Sequence, residues 1–110
     1  MAKEELFGVC PLTTAQELLT GKWTLLILHH LSKETLRFNE LHRKLPVLAQ
    51  TTLSKQLRIL EANGVIIRTV HQEIPPKVEY SLSDVGKGFQ DVLISLEKWG
   101  IQYLEYLKSK

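Results

Sequence analysis

Cysteine is nearly absent. The one thiol, Cys10, excludes an intramolecular disulfide framework and any zinc finger built on cysteines. Aspartate is almost as scarce, and the only two, Asp84 and Asp91, fall on the last predicted helix. There is no Gly-rich phosphate loop, no Ser/His/Asp set at a recognisable spacing and no metal-ligand cluster. Catalysis, a cofactor and a resident metal are therefore not expected. His29 and His30 are adjacent, so they do not share a helical face as metal ligands would, and a structural role is expected for both. No apolar run is long enough to span a bilayer, and Met1-Ala2-Lys3-Glu4-Glu5 carries no hydrophobic signal region. A cytoplasmic protein is expected. No internal repeat, low-complexity segment or linker interrupts the chain.

What is there fits one domain over residues 1–110, with a hydrophobic fraction of 44%, normal for a globular chain. The net charge of +2 says little, but its distribution says more. Between Arg37 and Leu60 stand five cations (Arg37, Arg43, Lys44, Lys55, Arg58) and one acid, Glu40. A basic middle in a nearly neutral chain points toward nucleic acid.

That basic middle contains the helix around which the chain is organised, predicted from Ala49 to Asn63. At about 100° per residue, Ala49, Leu53, Leu57 and Leu60 form one narrow apolar stripe. Thr51, Lys55, Arg58 and Ala62 fall opposite, with Gln50, Thr52, Ser54 and Ile59 on the flanks. Gln56 lies at the edge of the apolar stripe, where the pattern offers no reason for it. A helix entering a major groove needs this distribution: slim side chains near its start, donors and acceptors toward base edges, and cations toward phosphate. An ordinary amphipathic helix with a solvated polar face has the same periodicity, so the neighbours must decide.

Upstream, Thr14-Ala15-Gln16-Glu17 fits a capping box and starts a short helix ending at Gly21. Lys22 to Leu31 is predicted as the most buried helix, with Trp23, Leu26, Ile27 and Leu31 in the core. Leu36-Arg37-Phe38 reads as a very short strand. Asn39 is a candidate N-cap for a helix to Leu45, which Pro46 closes. Two short helices joined by a tight turn make a helix-turn-helix candidate. Gly64 is a left-handed cap residue after the basic helix. Val65 to Gln72 and Lys77 to Leu82 then form a β-hairpin across Ile74-Pro75-Pro76, an arrangement called a wing. The expected fold is α+β, mostly α.

Ser83 caps a final helix predicted to run to about Lys108. Val85, Phe89, Val92, Leu96, Trp99, Tyr103 and Tyr106 alternate at fours and threes, and Leu93, Gly100, Leu104 and Leu107 form a second row. So wide an apolar stripe exceeds what a small domain needs, and it predicts a homodimer through this helix. The alternative is a helix that wraps its own core.

Together these segments resemble the HxlR-type family of bacterial winged helix-turn-helix transcription regulators. The resemblance rests on Cys10-Pro11, Gly21-Lys22-Trp23, Leu36 to Leu41, Leu45 to Arg68, Ile74 to Gly86 and Trp99-Gly100, in the family's order. It implies a two-stranded wing, a long C-terminal dimerisation helix and binding of double-stranded DNA at an inverted-repeat operator. Two departures stand out. Ala49 replaces the Ser common at the start of the recognition helix, removing a side-chain cap worth roughly 0.5–2 kcal/mol unless a phosphate satisfies those N–H groups. Lys77 replaces Arg after the double proline, keeping a charge without the guanidinium fork.

The candidate DNA contacts are Gln50, Thr51, Thr52, Ser54, Lys55 and Arg58 on the recognition helix. Arg37 and Asn39 stand before it, where a phosphate or a bare cap is expected, and Lys77 lies in the wing, with Arg68 and His71 as further wing candidates. The candidate dimer interface comprises Leu6, Phe7, Val92, Leu96, Trp99 and Tyr103. Some members of the family sense oxidants through a cysteine at the Cys-Pro position, which makes Cys10 a candidate redox switch. A small buried hydrophobe is its alternative role, and Lys3 is the one cation close to it in sequence. Two other classes fit the sequence less well. A winged-helix module binding protein without DNA is opposed by the uncompensated cations over 37–60. A thiol enzyme on Cys10 lacks a partner base. The operator, the regulated genes, the sign of regulation and any effector are not written in the sequence.

Overall fold

A computed structural model of the chain describes residues 6–110. In order, the elements are α1 (Pro11–Leu18), α2 (Thr24–Lys33), β1 (Leu36–Arg37), α3 (Phe38–Lys44), α4 (Gln50–Ala62), β2 (Ile66–His71), β3 (Lys77–Leu82), α5 (Asp84–Lys87) and α6 (Gln90–Lys108). This is a winged helix-turn-helix, mostly helical with one small sheet.

The core collects the inner sides of α2, α3, α4 and the sheet. α2 contributes Ile27, Leu28 and Leu31, α3 contributes Leu41, and α4 contributes Leu53, Leu57 and Leu60, with Leu36, Leu45, Leu48, Val65, Ile66 and Leu82 closing the ends. The three α4 leucines are 0–2% exposed, as their spacing requires. Burying each is worth about 1.5–3 kcal/mol. Ala49 does not join them. It is the exposed N-cap of α4, and no side chain caps that end. At the other end Gly64 has φ +75°. Its N–H donates to Glu61 O and that of Val65 to Leu60 O, each at 3.0 Å, which is the Schellman pattern.

Several boundaries differ from those expected. α1 begins at Pro11, because proline at the first helical position has the right φ and no N–H to satisfy. Thr14 is therefore inside the helix, and its hydroxyl donates to Cys10 O at 2.7 Å instead of forming a capping box. Leu19 ends α1, so Gly21 is not its cap. Gly21 is needed for space: a Cβ there would run into the side-chain oxygens of Thr24 and Gln56. Gln56 therefore sits at the edge of the apolar stripe because its amide covers Gly21. α2 starts at Thr24, not Lys22, and Trp23 is its half-buried N-cap. Leu26 is 43% exposed, and Thr24 and Leu28 take core positions instead. Asn39 is not the cap of α3. Arg37 holds that position, and its N–H donates to Glu40 Oε1 at 2.8 Å.

The wing is not limited to two strands. β1 pairs antiparallel with β3, giving a three-stranded sheet in the order β1-β3-β2. Leu36 faces Tyr80 and Arg37 faces Glu79 across β1 and β3, and Ile66 to His71 face Leu82 to Lys77 across the hairpin. The final helix is divided. Ser83 caps α5 by accepting from Gly86 N–H at 3.0 Å, and a tight turn of i→i+3 bonds at Gly88 and Phe89 separates α5 from α6. No residue of α6 is fully buried. Its start packs on the core through Leu93, and Gln90 Nε2 donates to Ser32 O at 3.2 Å, whereas Trp99, Tyr103 and Tyr106 further along stay exposed.

Candidate nucleic-acid interface

The polar side of α4 faces solvent because Leu53, Leu57 and Leu60 turn the opposite side inward. Gln50, Thr51, Lys55 and Arg58 are exposed, and Thr52 and Ser54 are half-buried. Among the described residues, neither Lys55 nor Arg58 enters an ion pair. Both charges are open to an anionic partner with no internal pairing to break.

The approach of α4 is set by the turn before it. His42 Nε2 lies 2.8 Å from Leu48 O. A carbonyl only accepts, so Nε2 carries the proton and donates. Leu45 N–H donates to His42 O and Leu48 N–H to Leu45 O, each at 3.1 Å, so the segment between α3 and α4 is tied at three points. His42 was not singled out from the sequence, and the spacing gives no sign that its ring reaches across the turn.

In the wing, Arg68 is exposed, whereas His71 and Lys77 converge on Glu79. His71 Nε2 is 2.7 Å from Glu79 Oε1, and Lys77 Nζ is 3.7 Å from Glu79 Oε2. Glu79 was missed, although the alternation of Lys77 and Glu79 on one strand face is a readable signal. The β1–β3 pairing also draws Arg37 and Asn39 toward the wing. Arg37, Asn39 and Arg43 line one open groove together with Pro76, Lys77 and Val78. The structure thus joins Arg37, Asn39 and Lys77, which sequence reasoning treated as separate, and adds Arg43.

Cys10 is the half-buried N-cap of α1. A hydrogen bond from the Thr13 hydroxyl holds its thiol below the ordinary value, helped by the backbone N–H groups of Thr13 and Leu12 and opposed by burial. No cation is among these causes; Lys3, the one cation close in sequence, lies outside the described residues. His30 is half-buried, and burial, then His29 and Lys44, push its ring below the usual histidine value. Among the described residues, no three potential ligands gather around a metal position.

The apolar side of α6 is open. Val92 is 44% exposed, Leu96 39%, Trp99 61% and Tyr103 46%. The Trp99 and Tyr103 rings stack at 5.4 Å. Leu25 and Leu26 of α2 extend this surface, lining an apolar groove with Leu93 and Leu96. Leu6 is half-buried and Phe7 exposed. No helix among the described residues is long and apolar enough to cross a membrane.

Residues 18–108 match the sequence model of the HxlR-like helix-turn-helix family. The chain is 41% identical over 97 residues to the HTH-type transcriptional regulator YdeP of Bacillus subtilis (strain 168), spanning 88% of this chain and 76% of YdeP. It is 44% identical over 88 residues to YtcD of the same organism, spanning 80% of this chain and 70% of YtcD. Among solved structures, the redox regulator HypR in its reduced form is similar at a TM-score of 0.84 and 35% identity, covering 91% of this chain and 99% of HypR. The reduced transcriptional regulator YodB from B. subtilis is similar at a TM-score of 0.77 and 34% identity, covering 86% and 94%.

Proposed function

Since the chain belongs to the HxlR-like helix-turn-helix family of transcription regulators, we propose that it acts as a homodimer placing α4 of each protomer in the major groove of an inverted-repeat operator. The observation that carries this reading is the exposed face of α4. Gln50, Thr51, Thr52 and Ser54 supply short donors and acceptors near the helix start, and Lys55 and Arg58 supply unpaired charge beyond it. This order suits a helix that enters the groove by its N-terminal half, reading bases there and holding phosphate further along. The free cations favour DNA over a protein partner, and DNA as the ligand places the protein in the cytoplasm.

The dimer is supported by α6, none of whose residues is fully buried and on which Val92, Leu96, Trp99 and Tyr103 stay exposed. A two-fold pair of α4 helices sets half-site centres about one helical turn, or a multiple, apart. A redox input at Cys10 is supported by its lowered thiol and by two similar proteins. HypR is a redox regulator, and YodB has been solved both reduced and after diamide treatment. The family is one of regulators rather than enzymes.

Selection of bound sequences from random duplex DNA tests this reading. The expected product is an inverted repeat. A failure to enrich any sequence removes the operator-reading role, and a single asymmetric site bound as tightly as the repeat removes the dimeric arrangement.

A further inference from the structure

The groove between α3 and the wing gathers charge from segments far apart in sequence. Arg37 and Arg43 are exposed, and among the described residues neither side chain enters an ion pair. Lys77 closes the groove from the wing, and Asn39 adds an exposed amide. Two acids stand against them. Glu40 lines the groove but gives Oε1 to the Arg37 N–H at 2.8 Å. Glu79, which does not line the groove, lies 3.7 Å from Lys77 Nζ and is shared with His71. The balance of the groove remains cationic, and Phe38, Pro76 and Val78 line it with apolar side chains.

We propose that this groove holds one backbone phosphate of the bound duplex, gripped by Arg43 from α3 and by Lys77 from the wing. The inference rests on the DNA-binding reading above and adds a contact to it. The charge is arranged for a linear polyanion: the groove is open and not enclosed, and its cations stand on opposite walls. Its position fits too. α3 is joined to α4 by the tied turn at His42 and Leu48, and β1, which leads into α3, pairs with β3, so the helix-turn-helix and the wing border one groove. Arg43 offers a planar fork that matches phosphate oxygens, whereas Lys77 offers a point charge. Because one phosphate serves both, the two residues act as a unit. The helix-turn-helix and the wing then grip the backbone together.

The test is titration of the chosen operator and of a random duplex, at several salt concentrations, with wild type, Arg43→Ala, Lys77→Ala and the double variant. Each single change should weaken both duplexes alike, by roughly three- to tenfold, and reduce the slope of log affinity against log salt by about one. The double variant should lose less than the product of the single losses, because the shared phosphate is lost once. Arg43→Lys should recover part of the affinity. Circular dichroism checks that each variant folds, and Arg43→Gln, which keeps much of the stem, repeats the measurement if Arg43→Ala does not. Wild-type affinity and slope in both single variants, with weakened binding in Lys55→Ala, would overturn the groove contact and leave the DNA reading intact. Losses that multiply fully would overturn the shared phosphate. Absence of wild-type binding to either duplex would instead remove the DNA reading itself.

Discussion

His42 Nε2 donates to the carbonyl oxygen of Leu48 at 2.8 Å, spanning the turn that orients the recognition helix. Leu48 is buried and His42 half-buried, so this carbonyl has little water to turn to. His42→Ala should lower unfolding free energy by about 1–2 kcal/mol in urea titration. A value near zero would show that water replaces the imidazole and that the turn stands without it.

Gly86 and Gly21 should respond unequally to an added methyl. A Cβ at Gly86 would overlap the backbone carbonyl of Val65, which is itself bound by Ser83 N–H at 3.0 Å and cannot retreat without breaking that tie. A Cβ at Gly21 meets the ends of two side chains, and the Gln56 amide can swing away. Gly86→Ala should therefore cost about 1–3 kcal/mol and Gly21→Ala less. Thermal unfolding of the two variants gives the order, and a reversed order would contradict it.

Lys55 and Arg58 project away from the core, so alanine at either should move stability by less than about 0.5 kcal/mol. Their effects on binding should divide. Arg58→Ala should weaken all sequences alike and reduce the salt slope by about one, as expected of a phosphate contact. Lys55→Ala should relax preference at one operator position, at a cost of roughly 1–3 kcal/mol. Wild-type affinity and slope in both variants would mean that α4 is not the DNA-reading element.

Charged residues at Leu96 and Trp99 should leave the core untouched, since both are exposed on α6 and absent from the buried cluster. Sedimentation of Leu96→Glu/Trp99→Glu should report a folded monomer where wild type is a dimer. An intact dimer of unchanged affinity would dismiss the α6 interface.

The Cys10 thiol, held down chiefly by the Thr13 hydroxyl, should be alkylated by iodoacetamide with a midpoint below that of an ordinary thiol. Thr13→Val should move the midpoint up. The folded thiol titrates below the unfolded one, so its stabilising contribution is present above the unfolded pKa and fades as pH falls through the folded value. Mild oxidation should change DNA affinity in wild type and spare Cys10→Ser. Equal responses in both proteins would reduce Cys10 to a packing residue.

Local chemistry made much of this chain readable. Leu53, Leu57 and Leu60 recur at the helical period and are buried, Gly64 takes the positive φ that a left-handed cap needs, and KVEYSL alternates and forms β3 within the expected limits. Each depends on residues close in sequence, where periodicity and backbone preference operate. The structure departs from local patterns where distant segments meet. Gly21 suits a cap by residue type, and no local pattern reveals that Gln56 lies over it. Leu26 suits the core by hydrophobicity, but α2 is apolar nearly all round, and hydrophobicity alone does not choose which side faces inward. Asn39 was preferred as a cap by residue type, but the β1–β3 pairing holds Arg37 extended and starts α3 there.

The sequence by itself determined the elements, the family and the polar face of α4, because those follow from side-chain periodicity within single segments. Only the tertiary structure decided which charges stand together. Arg43 and Lys77 are separated along the chain by α4 and β2, and they share a groove because β1 pairs with β3 and carries the start of α3 to the wing. His71 meets Glu79 because the β2–β3 register sets His71 opposite Lys77, whose neighbour two residues on along β3, on the same face, is Glu79. Exposed charges are screened beyond about 8 Å at physiological salt, so the chemistry of this surface depends on distances that the order of residues does not contain.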